Sequence, residues 1–171
     1  MKKWIEALRP NPFEKLLRKV AAENKRRFLV VWNRGLGDIP LGLYALVHRI
    51  RSFIPRASVI FLTRKDLADA FSMLEEVQVI VGENWERGKP IAIDETLKKH
   101  DLSPNMFDVI LEKPDPTRWL KWQLGTLTPK LRWNEAWDTL VDRYELDPKE
   151  TYIGCHVQSE TAELYGYKKD W

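Results

Sequence analysis

The sequence predicts an α/β fold: a Rossmann-like parallel sheet with helices on both faces, followed by the start of a second domain. Three observations predict it. Short apolar runs recur at residues 28–32, 57–62, 77–81 and 107–111, helix-period stretches separate them, and turn residues punctuate the joins. Continuous apolar runs suit strands covered on both faces, whereas half-exposed strands alternate. Parallel neighbours need long crossovers, and right-handed βαβ units supply them. The strand order should then be that of one half of a doubly wound sheet.

The elements follow in order. Phe13, Leu16, Leu17 and Val20 share one helical face, Asn11 is placed to cap that helix, and Pro12 suits its first turn. Residues 1–27 carry nine Lys or Arg against Glu6, Glu14 and Glu23, a net charge of +6, while the other 144 residues carry −3. Such a basic amphipathic helix either lies on an anionic membrane surface or packs on its own domain with a solvated basic face. No recognition helix or aromatic–basic strand accompanies it, so nucleic acid is not expected. Phe28–Trp32 is the first strand, and residues 33–38 are a turn. Residues 39–54 have a helical stripe of Leu43, Leu46, Val47 and Ile50, ended by Pro55. A strand at 57–62, a helix at 65–74 and a strand at 77–81 come next. A polar stretch at 82–90, a short helix near 95–100 and a strand at 107–111 complete the sheet domain. A helix at 134–146 carries Trp137, Leu140, Val141 and Tyr144 on one stripe, and Asp147-Pro148-Lys149 reads as a linker before a strand at 151–157. The expected divisions are a basic extension at 1–27, a Rossmann-like domain at 28–147, and at 148–171 a linker with the first strand of a truncated second domain.

Composition narrows the class. With 171 residues, 44% hydrophobic and 31% charged, ten Pro and eight Gly, collagen-like, low-complexity and largely disordered chains are excluded. No stretch approaches the roughly 20 apolar residues of a membrane span, and the N-terminus lacks the apolar core of a secretory signal. The single cysteine, Cys155, excludes an internal disulfide and a multi-cysteine zinc cluster, and it points to a reducing, cytoplasmic setting. His48, His100 and His156 lack metal-ligand spacing, so no metal is expected. Of these, His48 and His100 read as solvated and His156 as ending a strand. Trp119, Trp122, Trp133 and Trp137 read as filling a core or a domain junction.

Chemistry concentrates in Arg34-Gly35-Leu36-Gly37-Asp38-Ile39-Pro40, the turn after the first strand, because open α/β sheets bind ligands at the carboxyl ends of their strands. Gly35 and Gly37 admit a close ligand approach or positive φ. Asp38 suits a helix cap, and it equally suits a general base that takes a proton from a substrate hydroxyl. A dinucleotide fingerprint fails where Pro40 replaces its third glycine, and an acidic turn opposes a pyrophosphate. The pair Arg64-Lys65 after the second strand nonetheless keeps an NADP-type oxidoreductase as a minor reading. Arg34, Arg64, Lys65, Lys113 and Arg118 follow strands, so they should gather at the ligand edge and suit a phosphate or carboxylate.

The run Phe28-Leu-Val-Val-Trp-Asn-Arg-Gly-Leu-Gly-Asp-Ile-Pro-Leu-Gly-Leu-Tyr-Ala-Leu46 resembles the opening of glycosyltransferase family 9, the lipopolysaccharide heptosyltransferase family. Arg51–Leu62, Phe107–Glu112 with Arg118, Tyr152–His156 and Lys168–Trp171 resemble later segments of that family in the right order. Tyr44 stands where the family usually has Pro, and Val157-Gln158 where Pro-Gly commonly follows the His. The resemblance implies a GT-B architecture, of which this chain is the N-terminal half with Trp171 a cut end. It implies that Asp38 is the general base for inverting, metal-independent sugar transfer. Arg34, Gly35, Gly37, Arg64, Lys65 and Arg118 would lie on the acceptor side, and His156 and Ser159 on the donor side. The co-substrate would be a nucleotide-sugar, with no other cofactor. The acceptor would be a glycan or glycolipid such as lipopolysaccharide core, met at the cytoplasmic side of the inner membrane. A non-catalytic Rossmann-like ligand-binding domain is the alternative from another class.

Overall fold

In the computed structural model the described residues are 11–115, 127–147 and 149–153. The chain divides into two compact units, Met1–Asn134 and Glu135–Trp171, rather than at the 147/148 boundary the sequence suggests.

The first unit holds a four-stranded sheet of β1 (Arg27–Trp32), β2 (Ser58–Arg64), β3 (Val77–Gly82) and β4 (Val109–Leu111), in the order β3-β2-β1-β4. Every pairing is parallel. The chain therefore steps outward from β1 to β3 and then returns to the other side of β1, the order of one half of a doubly wound sheet. Helix α1 (Pro12–Ala22), helix α2 (Tyr44–Phe53) and the one-turn α3 (Ala68–Phe71) cover one face. Phe28, Val30 and Trp32 of β1 point into that side, while Leu29 and Val31 point to the other, where Leu97 of α4 (Ile93–Lys99) and Phe107 close a second core. Burial on both faces is why β1 reads as an unbroken apolar run.

Helix α1 starts as its sequence requires: the Asn11 side chain accepts a 2.8 Å hydrogen bond from the Phe13 amide. Phe13, Leu17 and Val20 are buried in the main core, so α1 is part of the sheet domain. An interfacial helix needs that apolar face for the bilayer, so α1 cannot insert; only its exposed basic face, with Lys15, Arg18 and Lys19, remains for an anionic surface. Glu14 of α1 pairs with Arg49 of α2, and the Arg18 and Arg49 guanidinium groups lie 5.1 and 5.3 Å from the Phe53 ring. No helix among the described residues is long and apolar enough to cross a membrane.

Five expected elements need correction. The helix at 65–74 is a 3₁₀ turn (Lys65–Leu67) followed by the one-turn α3. The helix at 39–54 is instead a 3₁₀ turn (Leu36–Asp38), a π turn (Ile39–Leu43) and then α2. Pro40 cannot donate to a helical ladder and its ring crowds the preceding turn, which delays regular helix to Tyr44. Strand β2 runs past residue 62 to Arg64, which pairs in register with Gly82. Strand β4 begins at Val109, not at Phe107; ahead of it the Asp108 amide donates to the Arg27 carbonyl at 2.8 Å and its carboxylate accepts from the amides of Arg26 and Arg27 at 2.8 Å each. In the second unit the expected helix at 134–146 is a 3₁₀ turn (Glu135–Trp137) and the five-residue α5 (Asp138–Asp142). Asp138, Thr139 and Asp142 are weak helix formers. The expected stripe does not form a core: Leu140 and Tyr144 are exposed and Trp137 is half-buried. Trp133, at the end of the first unit, is 65% exposed and fills no core. Trp119, Trp122 and Cys155 lie outside the described residues.

Candidate functional site

The strand order makes one place special. The order reverses at β1: the chain crosses from β1 to β2 and β3 on one side and returns to β4 on the other, and open α/β sheets bind ligands at the carboxyl ends of the strands at such a switch point. A cavity of about 500 Å³ sits there, walled by residues 31–34, 88–91, 93 and 112–114. Its volume is within the range of small-molecule sites. Val31, Ile91 and Ile93 supply an apolar floor, and Arg34, Lys89, Lys113 and Glu112 supply the charge.

The turn after β1 is held by side chains that sequence patterning treats as filler or as ligand groups. Trp32, 1% exposed, donates its indole N–H to the Gly35 carbonyl at 3.1 Å. Thr63 donates its hydroxyl to the Trp32 carbonyl at 2.8 Å. Arg64 donates to the Arg34 carbonyl at 3.2 Å, and its Nε lies 3.3 Å from an Asp66 carboxylate oxygen. These contacts hold the carbonyls of Trp32, at the end of β1, and of Arg34 and Gly35 in the turn, and so fix its backbone.

Asn33 joins the turn to the loop after β3. Its amide Nδ2 donates to the carbonyls of Glu86 at 2.8 Å and Lys89 at 3.2 Å. Turning the amide over would set its oxygen against two carbonyl oxygens, so the orientation is fixed. Oδ1 is left buried with no hydrogen-bond partner among the described residues, in a side chain only 8% exposed. An acceptor in that state costs about 1–3 kcal/mol, a cost carried inside the fold because the atom has no surface open to the cavity. The loop is itself anchored by packing. A Cβ on Gly82 would lie 2.4 Å from the Trp85 ring, and Trp85 donates to the Thr96 hydroxyl at 3.2 Å.

The site residues named from sequence fall into distinct groups. Asp38 is half-buried at the turn and caps no helix, and its carboxylate makes no hydrogen bond or ion pair with any described residue. It is not among the cavity walls; it approaches Gly35 from the turn's own side, with Oδ2 3.6 Å from the position a Gly35 Cβ would take. The Arg87 guanidinium lies 4.0 Å from that same position. Arg34 and Lys113 do reach the cavity. Arg64 does not present itself to a ligand: at 7% exposure it is a buried brace, because β2 extends far enough to carry it inside. Lys65 is 76% exposed and pairs with Glu83 at 3.5 Å, away from the cavity walls. Gly35 and Gly37 both have negative φ, so neither turn position demands glycine; space above Gly37 is open. Arg118, His156 and Ser159 lie outside the described residues. His48 is exposed and stacks on Tyr44, and His100 is exposed with Nε2 3.3 Å from the Val81 carbonyl.

Asn33, Lys89 and Glu112 are the cavity residues that sequence reasoning missed. Two carried a readable signal: Asn33 follows β1 and Glu112 follows β4 directly, each the first polar residue at a strand's carboxyl end. Lys89 carried none, since only the tertiary fold brings the loop after β3 across β1. Comparison of the chain with family models, curated proteins and solved structures finds no match.

Proposed function

We propose that this chain is the acceptor-side domain of a GT-B-type glycosyltransferase, with Asp38 as general base. The observation that carries the reading is the unspent Asp38 carboxylate. An aspartate beside a helix start commonly accepts from the first-turn amides; this one, with helical backbone, does not, and its carboxylate makes no hydrogen bond or ion pair with a described residue. The strand order and the resemblance of residues 28–46 support the same reading. In the reaction the carboxylate accepts the proton of an acceptor hydroxyl as its oxygen attacks the anomeric carbon of a nucleotide-sugar. The bond from that carbon to the phosphate oxygen breaks, the nucleoside diphosphate leaves, and attack from the opposite side inverts the centre. The turn's fixed backbone would serve positioning, and the basic side chains around it would hold an acidic acceptor at the cytoplasmic face of the inner membrane.

The test is transfer of sugar from a panel of nucleotide-sugars to core oligosaccharide by the full-length gene product, followed by mass spectrometry. Asp38→Asn should lower turnover by about 10²–10⁴-fold, the range of general-base catalysis, and leave the melting temperature unchanged. Undiminished transfer by Asp38→Asn removes the assignment. A second reading, a non-catalytic ligand-binding domain, is favoured by one observation: Asp38 is not on the cavity wall. Ligand binding with no transfer from any donor would establish it.

A further inference from the structure

Torsion does not require the glycine at position 35. Its φ of −76° and ψ of 150° suit any residue, so what the missing side chain provides is room. A Cβ there would lie 3.6 Å from Asp38 Oδ2 and 4.0 Å from Arg87 Nη2, with no other described atom within 4 Å apart from Gly35's chain neighbours. Asp38 reaches this position from the turn after β1, and the exposed Arg87 reaches it from the loop after β3. Both segments are fastened. Trp32 holds the Gly35 carbonyl at 3.1 Å. The Asn33 amide holds the carbonyls of Glu86 and Lys89, on either side of Arg87, and Gly88 at φ 73° lets the chain turn between them. A carboxylate and a guanidinium thus border one open position, each on a separately anchored piece of backbone.

The two groups ask for different partners. An ionised carboxylate only accepts, and a guanidinium only donates. A ligand that meets both across so short a span carries a hydroxyl beside an acceptor, and the planar arginine fork pairs bidentately with a carboxylate. With room for little more than a Cβ between them, a flat carboxylate suits the space better than a tetrahedral phosphate. We infer that Gly35, Asp38 and Arg87 form a slot for a hydroxycarboxylate group, its hydroxyl donating to Asp38 and its carboxylate held by Arg87. Gly35 keeps the slot open, and Arg87 determines its specificity. The slot deepens the transferase reading and rests on it for the fate of the proton, which Asp38 would take from the one hydroxyl that Arg87 has aligned.

The experiment is titration of the ¹⁵N-labelled full chain with D-glycerate, acetate, glycerol and glycerol 3-phosphate, following the Gly35 and Arg87 backbone amides and the Arg87 Nε–H. D-Glycerate should give saturable shifts with a Kd that is roughly millimolar, and the other three should bind more weakly. Arg87→Ala should weaken D-glycerate about tenfold or more, as loss of a charge-assisted hydrogen bond does. Asp38→Ala should reduce D-glycerate to the affinity of acetate. Gly35→Ala decides the matter. Its methyl clashes with nothing described and its backbone is permitted, so the melting temperature should hold or rise slightly while D-glycerate binding is lost. Wild-type affinity in Gly35→Ala, no saturable shift with D-glycerate, or equal affinity for acetate overturns the slot; equal affinity for glycerol 3-phosphate overturns the choice of a carboxylate. D-Glycerate binding with no sugar transfer from any donor would keep the slot and discard the transferase reading. Transfer that needs Asp38 but is indifferent to Gly35→Ala and Arg87→Ala would do the reverse.

Discussion

Two aspartates stand at opposite ends of the same sheet and have opposite fates. At the amino end, Asp108 accepts from the Arg27 and Arg26 amides and is fully spent on joining β4 to β1. Those backbone hydrogen bonds, the Arg27 amide foremost, hold its carboxyl below the usual carboxylate range, helped by the positive charges of Lys25 and Arg27. At the carboxyl end, Asp38 ends the 3₁₀ turn with helical backbone, and its side chain caps no helix among the described residues. The difference shows how one residue type divides between architecture and chemistry. A carboxylate with two backbone donors is a strut, whereas Asp38 on its braced turn has no partner among the described residues, which is why it is the residue proposed for chemistry.

The contrast can be broken by experiment, most severely at Asp38. There the substitution to Asn should abolish most turnover with no change in melting temperature; a large drop in melting temperature would show that Asp38 is a strut after all. Next comes the bracing beneath the turn. Arg64→Met keeps the aliphatic stem but removes the guanidinium that meets the Arg34 carbonyl and Asp66, and it should cost about 1–3 kcal/mol in chemical denaturation. Hydrogen exchange should quicken at residues 34–38 in that variant, and an unchanged exchange pattern would deny the brace.

A smaller effect is expected at the strut itself. Asp108→Ala removes both amide contacts, but the group is exposed, so the loss should be about 1 kcal/mol. Its pH dependence identifies the cause. Because the folded carboxyl titrates lower than the unfolded one, its contribution is complete above the ordinary carboxylate range, near pH 4. It is lost as pH falls through the lowered folded value. Wild type and Asp108→Ala should therefore converge in stability in acid and diverge above about pH 4; a constant gap would point to packing instead of charge. The smallest effect belongs to Lys65→Ala. An exposed pair with Glu83 is worth about 0–0.5 kcal/mol in chemical denaturation.

Much of this architecture was legible from local pattern. Unbroken apolar runs at β1 and β2, the Asn11–Pro12 helix start and the stripe of Phe13, Leu17 and Val20 each report on a few neighbouring residues, and each is realised. Legibility failed where a local signal had two physical outcomes. Arg64 looked like a turn cation because residues 57–62 end the apolar run, yet pairing with Gly82 draws it two positions further into the sheet. Gly35 and Gly37 admitted either a close ligand approach or positive φ, and neither adopts positive φ. The stripe through Trp137, Leu140 and Tyr144 has helical spacing, but its helix is too short to present it as one buried face.

The sequence by itself determined the α/β class, the strand ends at which a ligand site is to be sought and the candidacy of Asp38, because periodicity and turn chemistry act within a few residues. Only the tertiary structure decided that Asp38 is unspent, that Arg64 is a brace, and that Asn33 is locked by carbonyls 53 and 56 residues away. It alone decided, too, that Lys89 and Lys113 share one cavity with Arg34. The reason is that hydrogen-bond satisfaction and cavity shape depend on which distant segments arrive together. Strand register and crossover direction set that meeting, and no local pattern encodes it.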